Sequence, residues 1–450
     1  SDVCSSDLAH RPSRAGCGQE GLEQSGALAT GRGAAGADPG HRARLGGLSP
    51  ARTASRTQVN LQERRQRLDA LLLACRDVWH AQPFCEQHPG WCDSWPALHA
   101  ELLALPEMAV ARLNDDTGAA LELLGRYLPE VAEVAALSDI PACPESRLGD
   151  HGSRWAWEIP GRKQQQIEAF ARAARPEGRS VIDWCGGKGH LGRLLALEWA
   201  LPVHTLEIDA ALCADGKGLA GKLAVDQHFW PRDALTVTDW PQIGQHAVAL
   251  HACGELHRRL IQQGVQVGAC RFDVAPCCYY RGVETAYRPL DQDGVTLQLT
   301  RDDTRLAVTE MVTASPRQAR QRDQGMAWKL AFAHWRQMVT GEAYQRFKPV
   351  PPAWLRGGFG EFMARMCQRE GLPVAAGRCL VEIETAGWQR QREVMRLSIA
   401  RHAFRRALEI WLVLDLACYL ERRGYAVDLG VFCRRELTPR NLLISARRSA

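Results

Sequence analysis

The sequence predicts an α/β protein built on a Rossmann-like, mostly parallel β-sheet, with a helical region before it and a helical insertion within it. Three observations support this fold class. A glycine-rich turn follows a short apolar strand and opens a helix at 181–192. Further short apolar runs then alternate with stretches of helical length. The chain ends with a long amphipathic stretch and two alternating segments, which predict a helix and a β-hairpin.

Composition limits the classes of protein to which the chain can belong. It has 450 residues, of which 46% are apolar, so it can build two or three domains with a sizeable core. The formal net charge of +5 permits an anionic partner without requiring one. No apolar run approaches the ~18 residues of a membrane span, and the sixteen cysteines are expected to be reduced thiols. We predict a cytoplasmic protein that does not enter a membrane.

The chain divides into five predicted segments. Residues 1–58 are rich in Gly, Ala, Arg and Ser, which is typical of a disordered or non-native leader. The remaining segments are a helical N-terminal domain over 59–150, a Rossmann-like core over 151–300, a helical insertion over 301–400, and a C-terminal helix with a β-hairpin over 401–450. The hairpin is expected to complete the sheet of the core.

Three cysteines and two histidines lie close together in the N-terminal sequence: Cys75, Cys85, Cys92, His80 and His88. Zinc prefers these ligand types, but their spacing contains no paired Cys-x-x-Cys. We expect ordinary thiols and no metal there.

The glycine-rich turn is the strongest functional signal. Gly186, Gly187 and Gly189 can adopt positive φ and let a ligand approach the backbone. The helix that follows directs its free N–H groups at that ligand. The spacing from Gly187 to Gly192 also satisfies the dinucleotide pattern, so an NAD(P)-binding oxidoreductase is an alternative. Asp183 argues against that alternative, because a carboxylate at the strand end repels a pyrophosphate and suits a cationic ligand.

Acidic residues also follow the next two strands. Glu207 and Asp209 end the second strand, roughly 20 residues beyond the glycines, where a carboxylate accepts the ribose hydroxyls of an adenosine. We favour Glu207 as that acceptor, while Asp209 either assists or caps the next helix. Asp233 follows the third strand and is a further candidate for the ligand.

Polar and sulfur-containing residues follow the fourth and fifth strands. Right-handed crossovers bring the carboxyl ends of parallel strands to one edge, where ligands bind. The residues that we expect to gather there as the catalytic centre are His251, Cys253, Cys277, Cys278, Tyr279 and Tyr280.

Three basic residues are candidates for substrate binding. Arg162 and Lys163 begin a helix, where their charges oppose the helix dipole. They either form a solvated turn or contact an anionic substrate. Arg281 follows the cysteines directly and is a third candidate.

The insertion and the helix after it carry many arginines, interleaved with aromatic residues. Arginine-bearing faces are usually solvated, but cations mixed with stacking surfaces are also typical of RNA sites. RNA is therefore a candidate partner. The residues in question are Arg317, Arg320, Arg322, Arg390, Arg392 and Arg396, with Trp388 and Phe404.

Four motifs occur in an order that resembles one family. They are Asp-Trp-Cys-Gly-Gly-Lys-Gly-His-Leu-Gly (183–192), His-Ala-Cys-Gly-Glu-Leu (251–256), Ala-Pro-Cys-Cys-Tyr (275–279) and Leu-Thr-Pro-Arg-Asn-Leu-Leu-Ile (437–444). Residues 155–450 resemble class I methyltransferases that use S-adenosyl-L-methionine (SAM). They are most similar to the methyltransferase-like family related to the glutathione S-transferase C-terminal-domain-containing protein. The acceptor-stem tRNA 2′-O-methyltransferases are more distantly similar.

The resemblance implies a seven-stranded class I methyltransferase core whose last strand is antiparallel, with SAM bound over 151–300. It implies that Asp183 and the glycines hold the amino-acid end of SAM, Glu207 (with or without Asp209) the ribose, and Asp233 the adenine. The zinc-knuckle segments of the tRNA enzymes are absent, so their substrate is not carried over. No thiol-transferase motif is visible, and a non-catalytic binding module with the same fold is another alternative.

Three roles are open for the Pro276-Cys277-Cys278-Tyr279 turn. We favour orientation of the methyl acceptor by Tyr279 and backbone carbonyls, with no metal and no covalent attack. A thiolate nucleophile is a second role, activated by His251 or Arg281. Zinc bound by Cys253, Cys277, Cys278 and His251 is the third, although adjacent cysteines seldom both ligate one tetrahedral metal without strain. The sequence does not indicate the target atom or the oligomeric state.

Overall fold

A seven-stranded β-sheet lies at the centre of the computed structural model, which describes residues 60–310 and 315–449. The strands are β1 Val181–Trp184, β2 Val203–Glu207, β3 Gln227–Pro231, β4 His246–Cys253, β5 Arg271–Cys277, β6 Tyr425–Val431 and β7 Leu442–Arg448. Their order is β3-β2-β1-β4-β5-β7-β6. Strands β1 to β5 are parallel, and β7 is antiparallel to both β5 and β6. The predicted seven-stranded α/β fold with an antiparallel last strand is confirmed.

The predicted helical N-terminal region is present and contains seven short helices. They are α1 Leu61–Ala74, α2 Arg76–His80, α3 Trp91–Ser94, α4 Pro96–Ala104, α5 Glu107–Asp115, α6 Thr117–Leu124 and α7 Val131–Leu137. Asn60 caps α1 by accepting from the N–H of Gln62. The predicted α1 face is confirmed at Leu68 and Leu72, which are fully buried. The predicted leader, with Cys4 and Cys17, lies outside the described residues.

Helix α8, Gly161–Ala173, precedes β1, and three helices connect parallel strands: α9 His190–Trp199, α10 Ala210–Lys222 and α11 Glu255–Val267. Side chains of β1 alternate between two apolar clusters, with Ile182 and Trp184 in one and Val181 in the other. The core therefore has an apolar layer on each face of the sheet. This arrangement leaves the strand ends as the place where polar side chains collect.

The insertion contains α12 Arg301–Leu306, α13 Pro316–Thr340, α14 Phe359–Glu370 and α15 Arg378–His402. A capping box begins α12, in which the side chains of Thr300 and Asp303 each accept from the other's backbone N–H. Helices α13 and α15 approach closely at Gly387, where a Cβ would lie 2.5 Å from the carbonyl oxygen of Ala327. A separate apolar cluster around Phe362 stabilises the insertion.

Two arginines of α15 bind the N-terminal helices. Arg390 donates to the Pro83 carbonyl oxygen at 2.6 Å, and Arg401 donates to that of Trp79 at 2.7 Å. Phe404 is fully buried and cannot stack on a base. These three residues therefore have roles within the fold, whereas Arg392 of the same stretch is exposed, and contact of the stretch with RNA stays a prediction.

Two further expectations from the sequence concern the cysteines and the absence of membrane-spanning helices. The fourteen cysteines of the described residues form no disulfide with one another, and their reduced state stays a prediction. Within the same residues, no helix combines the length and the hydropathy that crossing a bilayer requires.

Helix α16, Arg405–Arg422, joins the N-terminal helices to the sheet. Its residues from Ala407 to Leu420 are all buried. The carboxylate of Asp69 in α1 is 3% exposed and accepts from the indole N–H of Trp411 in α16 at 3.0 Å. It also accepts from the backbone N–H groups of Thr296 and Leu297 at 2.9 and 3.1 Å. One buried carboxylate thus connects three parts of the chain.

We expect Asp69→Ala to lower the free energy of unfolding by about 3 kcal/mol, because three N–H groups lose their acceptor and those of Leu297 and Trp411 are buried. Urea unfolding followed by circular dichroism measures this loss. The control is Arg67→Ala, which removes a half-exposed ion pair to Glu133 and should change the free energy by less than about 1 kcal/mol. Equal losses in the two variants would contradict the role of Asp69.

Candidate functional site

The glycine-rich turn adopts a backbone that only partly matches the expectation. Gly187 and Gly189 have φ of 61° and 64°, as expected, and Gly189 precedes α9. Gly186 is not left-handed, and Cys185 takes that conformation with φ of 57°. Gly186 is required for space, since a Cβ there would lie 2.4 Å from Oδ2 of Asp183. A Cβ on Gly187 would meet nothing within 4 Å, so space is open above the turn at that residue.

Asp183 lies beneath the turn and supports it. Its Oδ2 accepts from the backbone N–H of Gly192 in the first turn of α9 at 3.1 Å, and the side chain is 2% exposed. Burial raises the pKa of Asp183 to about 7, against the opposing effects of the Gly192 hydrogen bond and the charge of Lys163. Contact between Asp183 and the amino-acid end of a cofactor stays a prediction.

The two acids after β2 have different surroundings. Glu207 Oε2 accepts from the backbone N–H of Gly187 at 3.0 Å, which ties the end of β2 to the turn. Asp209 Oδ1 accepts from the N–H groups of Ala211 and Leu212 at 2.8 and 3.3 Å. Asp209 therefore caps α10, which was one of the two roles left open. Glu207 is the acid that lies beside the turn.

Asp233 belongs to the same group of acids. Its Oδ1 accepts from the N–H of Leu235, which opens a helical turn after β3. The pKa of the Cys185 thiol is raised by burial and then by the charges of Glu207, Asp183 and Asp233. Acids from three adjacent strand ends thus surround the start of the turn. Cys185 was missed in the sequence, where no glycine marks its left-handed backbone.

Lys188 is a second residue that the sequence did not single out. Its Nζ lies 2.9 Å from Oδ2 of Asp215 in α10 and 3.2 Å from Oε2 of Glu158 before α8. Both acids raise its pKa. Lys188 connects the turn to the elements on either side of it, and its partners lie too far along the sequence to be recognised in advance.

Helix α8 joins the glycine-rich turn to the end of β4 and to the loop of the hairpin. The Nε2 of His251 donates to Oε1 of Gln166 at 2.9 Å, and Nε2 of Gln166 donates to the Leu437 carbonyl oxygen at 3.0 Å. Arg162 donates to the same oxygen at 2.9 Å. Lys163 lies near the turn, since its charge acts on the pKa of Asp183 after the effect of burial. Substrate contacts of Arg162 and Lys163 stay predictions.

The thiols of the fourth and fifth strands come together as expected. The Sγ atoms of Cys253 and Cys277 lie 3.5 Å apart. Cys278 joins them, and the three Sγ atoms lie within 4.8 Å of one another. His251 adopts a φ of 71° within an irregular stretch of β4, between Leu250 and Cys253. The structure therefore brings together the cysteines of this motif, with His251 two residues before Cys253.

The tyrosines of this turn are exposed to different extents. Tyr279 is 2% exposed, and its hydroxyl donates to the Pro276 carbonyl oxygen at 3.4 Å. Tyr280 is half-buried, with the guanidinium groups of Arg301 and Arg305 each 5.8 Å from its ring. The side chain of Tyr280 is thus more accessible than that of Tyr279. Positioning of an acceptor by Tyr279 stays a prediction.

Arg281 shapes the turn through its backbone. Its N–H donates to the Cys278 carbonyl oxygen at 2.9 Å, and its carbonyl oxygen accepts from the N–H of Glu255 at 3.2 Å. These bonds fix the turn against the start of α11. A role of Arg281 in substrate binding stays a prediction.

The N-terminal cysteines and histidines do not assemble in the combination that the sequence suggested. His80 bonds Asp303 at 2.8 Å, and burial raises the pKa of Cys75 to about 11. His88 and Cys92 instead lie near His99, with ligand atoms within 4.8 Å.

We expect Asp183→Asn to change how stability depends on pH. Asp183 keeps its proton up to about pH 7 when folded but loses it near pH ~4 when unfolded. Its contribution to stability is therefore full below about pH 4 and falls by about 4 kcal/mol as the pH rises to about 7. Asn keeps an acceptor for Gly192 and does not titrate, so the variant should gain stability relative to wild type across this range. Urea unfolding at several pH values measures the difference, and a difference independent of pH would contradict the raised pKa.

Comparison with known proteins adds one family and several solved structures. Residues 162–284 match a family model described as a methyltransferase domain. This range begins in α8 and includes the glycine-rich turn and the cysteine turn. No curated protein matches the chain.

Two solved methyltransferases illustrate the structural likeness. Geranyl diphosphate C-methyltransferase from Streptomyces coelicolor A3(2) is 13% identical, with 30% of this chain and 54% of that chain covered and a TM-score of 0.23. Magnesium protoporphyrin IX methyltransferase from Synechocystis PCC 6803 is 11% identical, with 66% and 93% covered and a TM-score of 0.27. The chain thus spans about half the length of the first of these. Both TM-scores are low, so the strand order of the sheet, together with the matched domain over residues 162–284, is what relates this chain to methyltransferases.

Proposed function

We propose that the chain is a SAM-dependent methyltransferase. The observation that carries the proposal is the open space above Gly187 in the glycine-rich turn, with the carboxylate of Glu207 bonded to its backbone and Asp233 acting on the same turn from the next strand end. A site with this charge favours a cationic ligand, and the sulfonium and ammonium groups of SAM are both cationic. The match of residues 162–284 to a methyltransferase domain supports the same conclusion.

The residues present fit SAM as a cofactor. The open space above Gly187 gives the amino-acid end of SAM a place beside the backbone. Glu207 would accept from the ribose hydroxyls. Each of its oxygens already accepts one backbone N–H, from Gly187 or Asp209, but a carboxylate has about four acceptor sites. Asp233 would accept from the adenine amino group. Asp183 would act mainly by supporting the turn, because it is buried beneath it.

Catalysis would depend on holding the acceptor in place. SAM supplies a methyl group on a sulfonium, which is already electrophilic. The protein's contribution is then to bring the acceptor atom into line at contact distance. A general base is needed only for an acceptor that must lose a proton, and His251 is the candidate at this strand edge. Its hydrogen bond to Gln166 would fix the orientation of the ring.

The finer family assignment is part of this proposal. The four ordered motifs support membership of the methyltransferase-like family related to the glutathione S-transferase C-terminal-domain-containing protein. We also propose a cytoplasmic location, which is supported by the absence of disulfides among the described cysteines.

We also propose RNA as the acceptor, from a surface other than the 390–406 stretch. A cavity of about 370 Å³ opens between α13 and the segment that follows it. Four cations and three aromatic rings line it: Arg322, Lys329, Arg346, Lys348, Phe84, Tyr344 and Phe347. RNA sites combine cations with stacking surfaces in this way.

Lys329 is the cation in this cavity that most favours an anionic partner. Burial lowers its pKa, and no acid contributes to the shift. Among the described residues, no hydrogen bond or ion pair to its ammonium group is found, whereas Arg346 pairs with Asp302. A phosphate would offset the cost of desolvating this charge. The exposed Arg317 and Arg320 lie on the same helix and extend the basic surface.

We expect SAM and S-adenosylhomocysteine to bind with micromolar affinity, about −8 kcal/mol. Glu207→Ala should weaken binding by about 1–3 kcal/mol, since the ribose hydroxyls lose their acceptor. Isothermal titration calorimetry measures both values. Asp209→Asn is the matched control, because Asn also caps a helix, and it should leave the affinity unchanged.

Two other outcomes would support the alternative functions. Folded protein that binds NAD(P) but not SAM would support the oxidoreductase alternative. SAM binding without methyl transfer to any fraction, in an assay with tritiated SAM against cellular RNA, protein and small molecules, would support a non-catalytic module.

We expect RNA binding to weaken steeply with salt, because counterions are released from the phosphates. Lys329→Ala should reduce RNA affinity by about tenfold, comparable to the loss of a charge-assisted hydrogen bond. Filter binding at several salt concentrations measures both effects. Arg378→Ala removes an exposed arginine of the same insertion outside the cavity and should have little effect. Tritium incorporated into protein alone would refute RNA as the acceptor.

A further inference from the structure

We propose that Cys253, Cys277 and Cys278 bind one thiophilic divalent metal ion, with zinc as the expected occupant. Their Sγ atoms lie within 4.8 Å of one another, and those of Cys253 and Cys277 are 3.5 Å apart. Three thiolates bound tetrahedrally to zinc at ~2.3 Å would be ~3.8 Å apart. The observed separations therefore need only small side-chain shifts to reach a zinc geometry.

The backbone at Cys278 removes the usual objection to adjacent cysteine ligands. Successive side chains of a strand point to opposite faces, which would separate the thiols of Cys277 and Cys278. Strand β5 ends at Cys277, and Cys278 has a φ of 47°. This left-handed conformation, uncommon in a residue other than glycine, brings the two thiols to the same side. Such backbone strain is concentrated at ligand-binding sites.

The end of β4 is built to meet this turn. The register of β4 shifts between Leu250 and Cys253, and Cys253 then pairs directly with Cys277. The next residue, Gly254, donates its N–H to the Cys277 carbonyl oxygen at 3.0 Å. A Cβ on Gly254 would lie 2.2 Å from the Arg281 carbonyl oxygen, so only glycine permits this approach. Two irregular strand ends are thus held together where the thiols converge.

The surroundings suit a cation with an open coordination position. Cys253 and Cys277 are 4% and 2% exposed, whereas Cys278 is half-buried and gives access from solvent. A fourth ligand from solvent or from an acceptor completes the tetrahedron.

Metal analysis of the full chain, purified under reducing conditions without chelator, tests the proposal. We expect stoichiometric zinc in the wild type. Cys277→Ser and Cys278→Ser should each weaken zinc binding by more than about 100-fold, beyond the loss caused by removing an outer-shell partner.

Two matched controls separate this site from other zinc-binding groups. Cys270→Ser removes the thiol just before the opposite end of β5, and His88→Ala removes a member of the His88, Cys92 and His99 group. Both controls should keep the zinc. Zinc that is lost in His88→Ala and kept in Cys277→Ser would overturn the proposal.

Cobalt substitution provides a test that does not depend on the folding of a variant. Wild-type protein loaded with Co²⁺ should show the thiolate-to-cobalt charge-transfer band and the intense visible bands of a tetrahedral ion. The proposal would be overturned if the wild-type protein contained no zinc and showed none of these bands. It would also be overturned if a Cys253–Cys277 disulfide formed in protein purified under reducing conditions. Neither measurement uses SAM, so failure of SAM binding with zinc retained would refute the proposed function alone.

Discussion

Burial of α16 is the constraint on which the rest of the structure depends. This helix lies between the N-terminal helices and the sheet, so its buried polar side chains depend on partners within the protein. Asp415 accepts from the backbone N–H groups of Leu290 and Asp291 at 3.0 and 2.8 Å, and from the hydroxyl of Tyr287 at 2.7 Å. Burial raises the pKa of this carboxyl, which the same hydrogen bonds oppose. The helix thereby fixes the loop that leads from the cysteine turn into the insertion.

The candidate site brings several acidic side chains together, and backbone N–H groups of the site stabilise them. Asp183, Glu207 and Asp233 come from three different strands. Two of these acids hold the turn in place, because Glu207 accepts from the N–H of Gly187 and Asp183 accepts from that of Gly192. The acids therefore have a structural task that precedes any ligand. Lys163 offsets part of the charge through its effect on Asp183, whereas Lys188, within the turn, pairs with Asp215 of α10. A cationic ligand would complete this balance, which is why the arrangement favours SAM over a dinucleotide.

Much of this architecture could be predicted from the sequence, because apolar periodicity and strand-end chemistry are local signals. The strands, the final hairpin and the gathering of the cysteines follow from them. Three features could not be predicted. The left-handed residues Cys185 and Cys278 are not glycines, so nothing in the sequence marks their backbone. The role of Arg401 depends on partners more than 300 residues away, whereas a sequence shows only its charge.

The contacts of Arg401 have a consequence for dividing the chain. Its guanidinium donates to the carbonyl oxygens of Trp79, His80 and Ala81 at 2.7, 2.7 and 3.0 Å. Carbonyl groups at the end of a helix such as α2 have no donor within the helix, so Arg401 supplies their hydrogen bonds. Removing the N-terminal helices would leave a largely buried cation without these acceptors and would uncover the apolar face of α16. The region that matches a methyltransferase domain, residues 162–284, is therefore not an independent folding unit. A chain truncated before this region would lose part of the packing that stabilises it.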